Sequence, residues 1–110
     1  FMERFTALRL DILDLSATYE SFVDQVRRGE PLGPDVSLLK VWATEVMQRC
    51  SELMIEGGDE YAAFAGTVDV DDSPVNVLAP FYSSRPGTIY GGSNEIQRNI
   101  LAKAVLGLPQ

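Results

Sequence analysis

The strongest constraint on what this chain can fold into is an apolar stripe at its amino-terminal end. Phe5, Leu8, Ile12, Leu15, Tyr19, Phe22 and Val26 recur at alternating steps of three and four. That spacing places all of them on one side of an α-helix. Leu10, Leu13 and Val23 lie beside the stripe and widen it. Arg27 and Arg28 put cations at the carbonyl end, Gly29 suits the position past the last turn, and Pro31 and Pro34 stop the helix. The spacing predicts a helix over 4–28 that must bury a long apolar face against other elements.

A second helix is predicted over 35–56. It starts at Pro34-Asp35, where proline fits the first turn and an acid faces the positive helix end. Its face is Leu39, Trp42, Val46, Cys50 and Leu53, flanked by Ala43 and Met54, and Gly57-Gly58 ends it. The short Gly/Pro linker predicts an antiparallel helical hairpin. Residues 59–88 read as a loop. Asp69-Val70-Asp71-Asp72-Ser73-Pro74 is an acidic turn-rich tip, and a short helical piece is possible near 78–84. A third main helix is predicted over 93–106. Ser93 or Asn94 is its N-cap, Ile96, Ile100, Leu101, Ala104 and Val105 form its face, and Gly107 and Pro109 close it. The fold class is all-α, an incomplete up-down helical bundle of three main helices.

Composition narrows the function classes. At 110 residues there is room for one domain. Sixteen acids against nine bases give −7, which argues against a nucleic-acid or anionic-membrane surface. With no histidine, the chain itself cannot supply a His metal ligand, a Ser-His triad or a histidine base. Cys50 is the only cysteine, so no internal disulfide forms and a reducing compartment fits. No apolar run approaches the ~20 residues of a membrane span. Glu3, Arg4 and Arg9 interrupt any signal-peptide pattern.

Few side chains point to chemistry by spacing alone. Gly91-Gly92 ahead of a helix can bring backbone N–H groups against an anion or a developing oxyanion, though a Gly-Gly turn is commonly just a turn. It is neither a P-loop nor a dinucleotide fingerprint. Tyr90, Gln97 and Arg98 read first as packing or a solvated flank. Glu95 has a structural reason as a first-turn acid. Trp42 and Cys50 read as core. Glu30, Asp35, Glu45, Glu52 and Glu56 show no spacing that compels an acid/base pair.

The carboxy-terminal string carries a resemblance. Ile89-Tyr90-Gly91-Gly92-Ser93-Asn94-Glu95-Ile96-Gln97-Arg98-Asn99-Ile100-Leu101-Ala102, followed by Val105-Leu106-Gly107-Leu108-Pro109, closely resembles the end of acyl-CoA dehydrogenases. Their signature there reads Tyr-x-Gly-[Ser/Thr]-x-x-Ile-Gln-Arg-x-x-[Ile/Leu]-Ala. Ser37 to Glu45, followed by Leu53-Met54-Ile55-Glu56-Gly57-Gly58, is similar to that family's penultimate long helix and its Gly-Gly end. The resemblance spans nearly the whole chain and is weakest over 59–84.

The resemblance implies the last three helices of a four-helix C-terminal domain, in a protein that also has an N-terminal helical domain and a middle β-domain. The first stripe begins almost at residue 1, so the expectation is a piece of a longer bundle that neither catalyses alone nor binds FAD tightly. The implied reaction is α,β-dehydrogenation of an acyl-CoA thioester with FAD as the redox cofactor. The implied partners are an acyl-CoA substrate, an electron-transfer flavoprotein as electron acceptor, and a homo- or hetero-oligomer, with no nucleic acid and no membrane. The expected location is the cytoplasm, with the mitochondrial matrix as the alternative.

Site residues follow by resemblance, position by position. Many members carry a glutamate base immediately after the signature tyrosine; here that position is Gly91, so no catalytic side chain is assigned. Three explanations stand: a base on an upstream helix, which is favoured; a base-less sibling subunit or assembly module; and, least favoured, Glu95. Tyr90, Gly91 and Gly92 match substrate-binding positions, and the Gly91 N–H is able to hydrogen-bond the thioester oxygen. Met54, Ile55, Glu56, Gly57, Gly58, Ser93, Asn94 and Glu95 match FAD-contacting positions. Glu56 departs from the usual apolar or small residue, and Glu95 stands where glutamine or glutamate is usual. No metal site is expected.

Overall fold

The computed structural model describes residues 1–109. Helix α1 spans Met2–Arg27 and α2 spans Ser37–Gly58, introduced by a 3-10 turn at Pro34–Val36. The α1 terminus follows from Gly29. Its φ of +73° is a left-handed value that glycine adopts without penalty, and Gly29 N–H bonds to Val26 O while Glu30 N–H bonds to Gln25 O. That pairing is a Schellman cap.

Helices α1 and α2 run antiparallel. Arg4 near the start of α1 pairs with Glu56 near the end of α2, and Asp11 receives Trp42 and Arg49 midway along. Only part of the α1 stripe is covered. Leu8 is 6% exposed and Leu15 and Phe22 are half-buried, whereas Phe5, Ile12, Tyr19 and Val26 remain exposed. The two sets each repeat every seven residues, the spacing of the two seams of a coiled-coil helix. One seam is filled by α2 and the other is open.

Helix α2 is packed on more than one side. Its deepest residues are Val41, Val46 and Ser51, and only Val46 belongs to the predicted apolar face. The reason is that α1 covers one side of α2, while a seven-residue helix α3 at Leu78–Ser84 and helix α4 at Asn94–Ile100 cover others. The fold is a helical layer organised around α2, in accord with the expected all-α class.

The segment 59–88 is not simply a loop. Strands β1 (Val68–Val70) and β2 (Ser73–Val75) pair antiparallel, with Val68 opposite Val75. Asp71 and Asp72 take φ of +48° and +60°, which closes a tight two-residue hairpin. Short aspartate side chains tolerate this region, which is why an acidic pair can occupy the tip. Asn76 then caps α3 by accepting from Ala79 N–H at 2.8 Å. Past α4 the helix widens into a π-turn over Leu101–Val105 and ends at Gly107 with φ +64°.

The domain is open. Its radius of gyration is 17.1 Å, against about 13 Å for a closed domain of this length. Its accessible surface is 7641 Å², against roughly 6,000 Å² for a closed monomer of this mass. Among the described residues the buried hydrophobic side chains are Leu8, Val41, Val46 and Val77.

Candidate functional site

The signature tyrosine and glycines sit on an arch, residues 88–94, that joins the α3 region to α4. At its first foot, Ile89 and Tyr90 N–H groups both bond to Pro86 O, and Gly87 is buried against Thr44 of α2. Gln48 Nε2 donates to Arg85 O at 3.3 Å and to Thr88 Oγ1 at 3.4 Å. At the second foot Asn94 is 2% exposed. Lys40 Nζ donates to Asn94 Oδ1 at 2.7 Å, and Asn94 Nδ2 donates to Thr44 Oγ1 at 3.0 Å and to Glu45 Oε1 at 3.4 Å. Lys40, Thr44 and Gln48 are spaced by four, so one row along α2 holds both feet.

Between the feet the arch faces outward. Tyr90 is 65% exposed. Gly91 and Gly92 have φ of +67° and +87°, a conformation that L side chains adopt only with strain. A Cβ on Gly91 would meet nothing within 4 Å, so glycine is required there by backbone conformation and not by space. A Cβ on Gly92 would lie 2.6 Å from Gln97 Nε2. Ser93 is the N-cap of α4: its hydroxyl accepts from Ile96 N–H at 3.4 Å, and its carbonyl receives Gln97 N–H at 2.9 Å. A groove of about 280 Å³ runs beside Tyr90 between α2 and α3, lined also by Ala43, Thr44, Met47 and Ser83.

Neither carboxylate nearest the arch is poised as a base. Glu95 is held by its own backbone N–H, by the Ser93 hydroxyl and by the nearby cations of Arg98 and Lys40, which together keep its carboxyl below the ordinary range. A useful base needs the opposite shift, toward neutral pH. Glu45 is paired with Arg98. Gly91 offers no side chain.

Met54, Ile55, Glu56, Gly57 and Gly58 form the far end of α2. They lie ten to fourteen residues beyond Thr44, so about 15–20 Å along the helix from the arch foot. The chain therefore does not bring its two groups of cofactor-matched residues together. Met54 lines an apolar groove of about 370 Å³ with Phe1, Phe5, Leu8, Ile12 and Cys50. The Glu56 charge is met by Arg4. Trp42 is half-buried and not purely apolar packing, because its indole N–H is bonded to Asp11. Cys50 is half-buried, and desolvation pushes its thiol pKa up. Among the described residues no cluster of acids and cysteine is arranged to hold a metal ion, and no helix is long and apolar enough to cross a membrane.

Sequence reasoning gave no role to Lys40, Thr44, Gln48 or Arg85. Arg85 stacks over the Phe81 ring at 4.3 Å, donates to Glu52 at 2.9 Å and to Ser51 Oγ at 3.0 Å, and so ties α3 to α2. The available signal was a polar residue every fourth position inside an apolar helix.

The fold is a helical layer that places a two-glycine arch at the start of its last helix. Residues 2–106 match the family described as acyl-CoA dehydrogenase, C-terminal domain, and the chain belongs to that family. It is similar to acyl-CoA dehydrogenase IpdE1 of Mycolicibacterium smegmatis, 78% identical over 27 residues, which is 24% of this chain and 7% of that protein. It is also similar to acyl-CoA dehydrogenase IpdE1 of Mycobacterium tuberculosis, 74% identical over 27 residues with the same shares. The matched stretch thus spans a small part of these relatives' length. No solved structure matches the chain.

Proposed function

We propose that the chain is the C-terminal helical part of an FAD-dependent acyl-CoA dehydrogenase, and that it supplies the thioester-binding turn, one wall of the flavin site and assembly surfaces. The observation that supports this best is the arch. Two consecutive positive-φ glycines leave backbone N–H groups uncovered, on a turn tied down at both feet to one helix. In the proposed reaction the Gly91 N–H hydrogen-bonds the thioester oxygen as charge develops on it, which acidifies the α-carbon. Tyr90 shields one side of the thioester from water. The α-proton goes to a carboxylate outside the arch, since Gly91 has no side chain and Glu95 is engaged by its own cap.

The residues present fit an edge of the flavin nucleotide. Gly57 is exposed at the end of α2; of the acids near it, Glu56 is paired with Arg4, while Asp59 and Glu60 follow Gly58 on an exposed 3-10 turn. Met54, Ile55, Glu56, Gly57 and Gly58 would line one nucleotide, while Ser93 and Glu95 would approach a flavin near the arch. When bound, FAD supplies the hydride acceptor. The distance along α2 between the two groups favours two copies of the cofactor, each bridging chains. The open α1 seam and a surface excess of roughly 1,600 Å² leave room for contacts with other chains or domains; the excess is about twice the 800 Å² that one chain contributes to a standard interface. An electron-transfer flavoprotein would take the electrons onward, and the cytoplasm is the proposed location.

A second reading, a base-less subunit that assembles with an active partner, draws on the same Gly91. One experiment separates them. The full-length, flavin-loaded protein that carries this chain is supplied with a panel of acyl-CoA thioesters and an artificial electron acceptor, and enoyl-CoA is measured. Turnover supports the enzyme. Stoichiometric flavin without turnover on any thioester, restored by adding a sibling subunit, favours the second reading. Absence of both flavin and acyl-CoA binding overturns both.

A further inference from the structure

The arch carries the residues to which a ligand role is assigned, yet what fixes it lies on α2. Lys40, an ammonium with donors only, must face the amide oxygen of Asn94, so the Asn94 NH₂ is turned to Thr44 and Glu45. Each polar atom of this buried amide has a partner, and Glu45 is held in turn by Arg98 of α4. Thr44 has two tasks. Its hydroxyl faces Asn94, and its methyl group lies 3.6 Å from where a Cβ on Gly87 would stand, so it packs against that glycine. Gln48, one turn further on, holds Thr88 at the other foot. The glycines between the feet have no side-chain packing of their own to fix them. Their N–H directions depend on where the feet stand.

We propose that Lys40 and Asn94 are positioning residues that set the Gly91-Gly92 turn, acting through the buried amide and not by touching substrate or flavin. A neutral side chain at 94 without hydrogen-bonding capacity leaves the Lys40 ammonium and the Thr44 hydroxyl without their buried partner, and the second foot loosens. An oxyanion donor is effective only when held in place beforehand, so loss of the foot lowers the rate more than it lowers affinity.

The test uses the protein in its flavin-loaded form as Asn94→Ala, Lys40→Met and Lys40→Arg variants, with two readouts. Backbone amide exchange at Ile96 and Gln97, whose N–H groups bond to Ser93 at the second foot, is expected to rise about tenfold in Asn94→Ala and Lys40→Met, with α1 unchanged, and to return toward wild type in Lys40→Arg. Lys40→Met lies at the edge of the network and keeps the test informative should Asn94→Ala fail to fold. On the proposed function, kcat for acyl-CoA dehydrogenation falls about tenfold in the same variants, with KM nearly unchanged. Unchanged exchange at Ile96 and Gln97 in Lys40→Met overturns the proposal whatever the activity. A KM rise with constant kcat overturns it too, because that signals direct substrate contact. A wild-type protein that dehydrogenates no thioester removes the proposed function, while the exchange arm still decides the positioning role.

Discussion

Trp42 on α2 donates its indole N–H to Asp11 Oδ1 on α1 at 2.6 Å, and Arg49 engages the other oxygen of the same carboxylate. Two long helices are therefore joined at mid-length by one acid that serves two donors. Asp11→Ala leaves the half-buried indole N–H and Arg49 without their acceptor, and it should lower stability by about 1–3 kcal/mol. Asp11→Asn keeps one acceptor for Trp42 and should lose less. Trp42 is the only tryptophan, so urea unfolding followed by its fluorescence reads both variants at the contact itself.

The two arch glycines should respond differently to alanine. Gly91→Ala meets open space and suffers only the left-handed backbone, about 1–2 kcal/mol. Gly92→Ala suffers the same strain and must also displace the Gln97 amide. Pairing Gly92→Ala with Gln97→Ala should therefore recover part of the loss, and pairing Gly91→Ala with Gln97→Ala should recover none. Thermal unfolding of the two double-mutant cycles distinguishes these outcomes.

Glu95 should tie stability to acid pH. Its carboxyl is depressed below 4.5 in the fold by its cap hydrogen bonds and the nearby cations. A depressed acid stabilises the fold above its unfolded pKa, and that stabilisation is lost as pH falls through the folded value. Glu95→Gln should thus be less stable than wild type at pH 7, with the gap closing as pH drops below about 4.5. Melting curves of both proteins between pH 7 and 3 give the comparison; a gap that widens on acidification contradicts the assignment.

The open seam of α1 should govern association and not the α1–α2 pairing. Tyr19 and Val26 are exposed on that seam, while Leu8 on the filled seam is buried. Tyr19→Asp with Val26→Asp should leave helicity and the Trp42 signal unchanged, yet shift sedimentation at micromolar concentration to the monomer. Leu8→Ala should instead lower stability by about 2–4 kcal/mol through the cavity it creates.

Much of the molecule is legible from local pattern. The periods of α1, α2 and α4, the stop at Gly29, the N-cap at Ser93 and the glycine turn all depend on chain-local rules of spacing, capping and φ. The hairpin tip was readable as a turn at Asp71-Asp72 but not as strands, because three-residue strands carry too little periodicity to register. Asn94 shows the boundary most clearly. Its place in the chain makes it a helix-start residue with a resemblance to cofactor-contacting positions, while its side chain is turned into the fold and engaged by α2.

By itself the sequence determined that this would be a helical protein of the acyl-CoA dehydrogenase family with a glycine turn before its last helix. Helix periodicity and backbone conformation are properties of neighbouring residues, and they survive in a string of letters. Only the tertiary structure decided which half of the α1 stripe is covered, that Val41 and Ser51 lie deeper than most of the predicted α2 face, and that Lys40, Thr44 and Gln48 hold the arch. Those outcomes depend on which elements press against α2 and from which sides. Burial and hydrogen-bond partners across forty or fifty residues are set by that packing, and no local spacing encodes it.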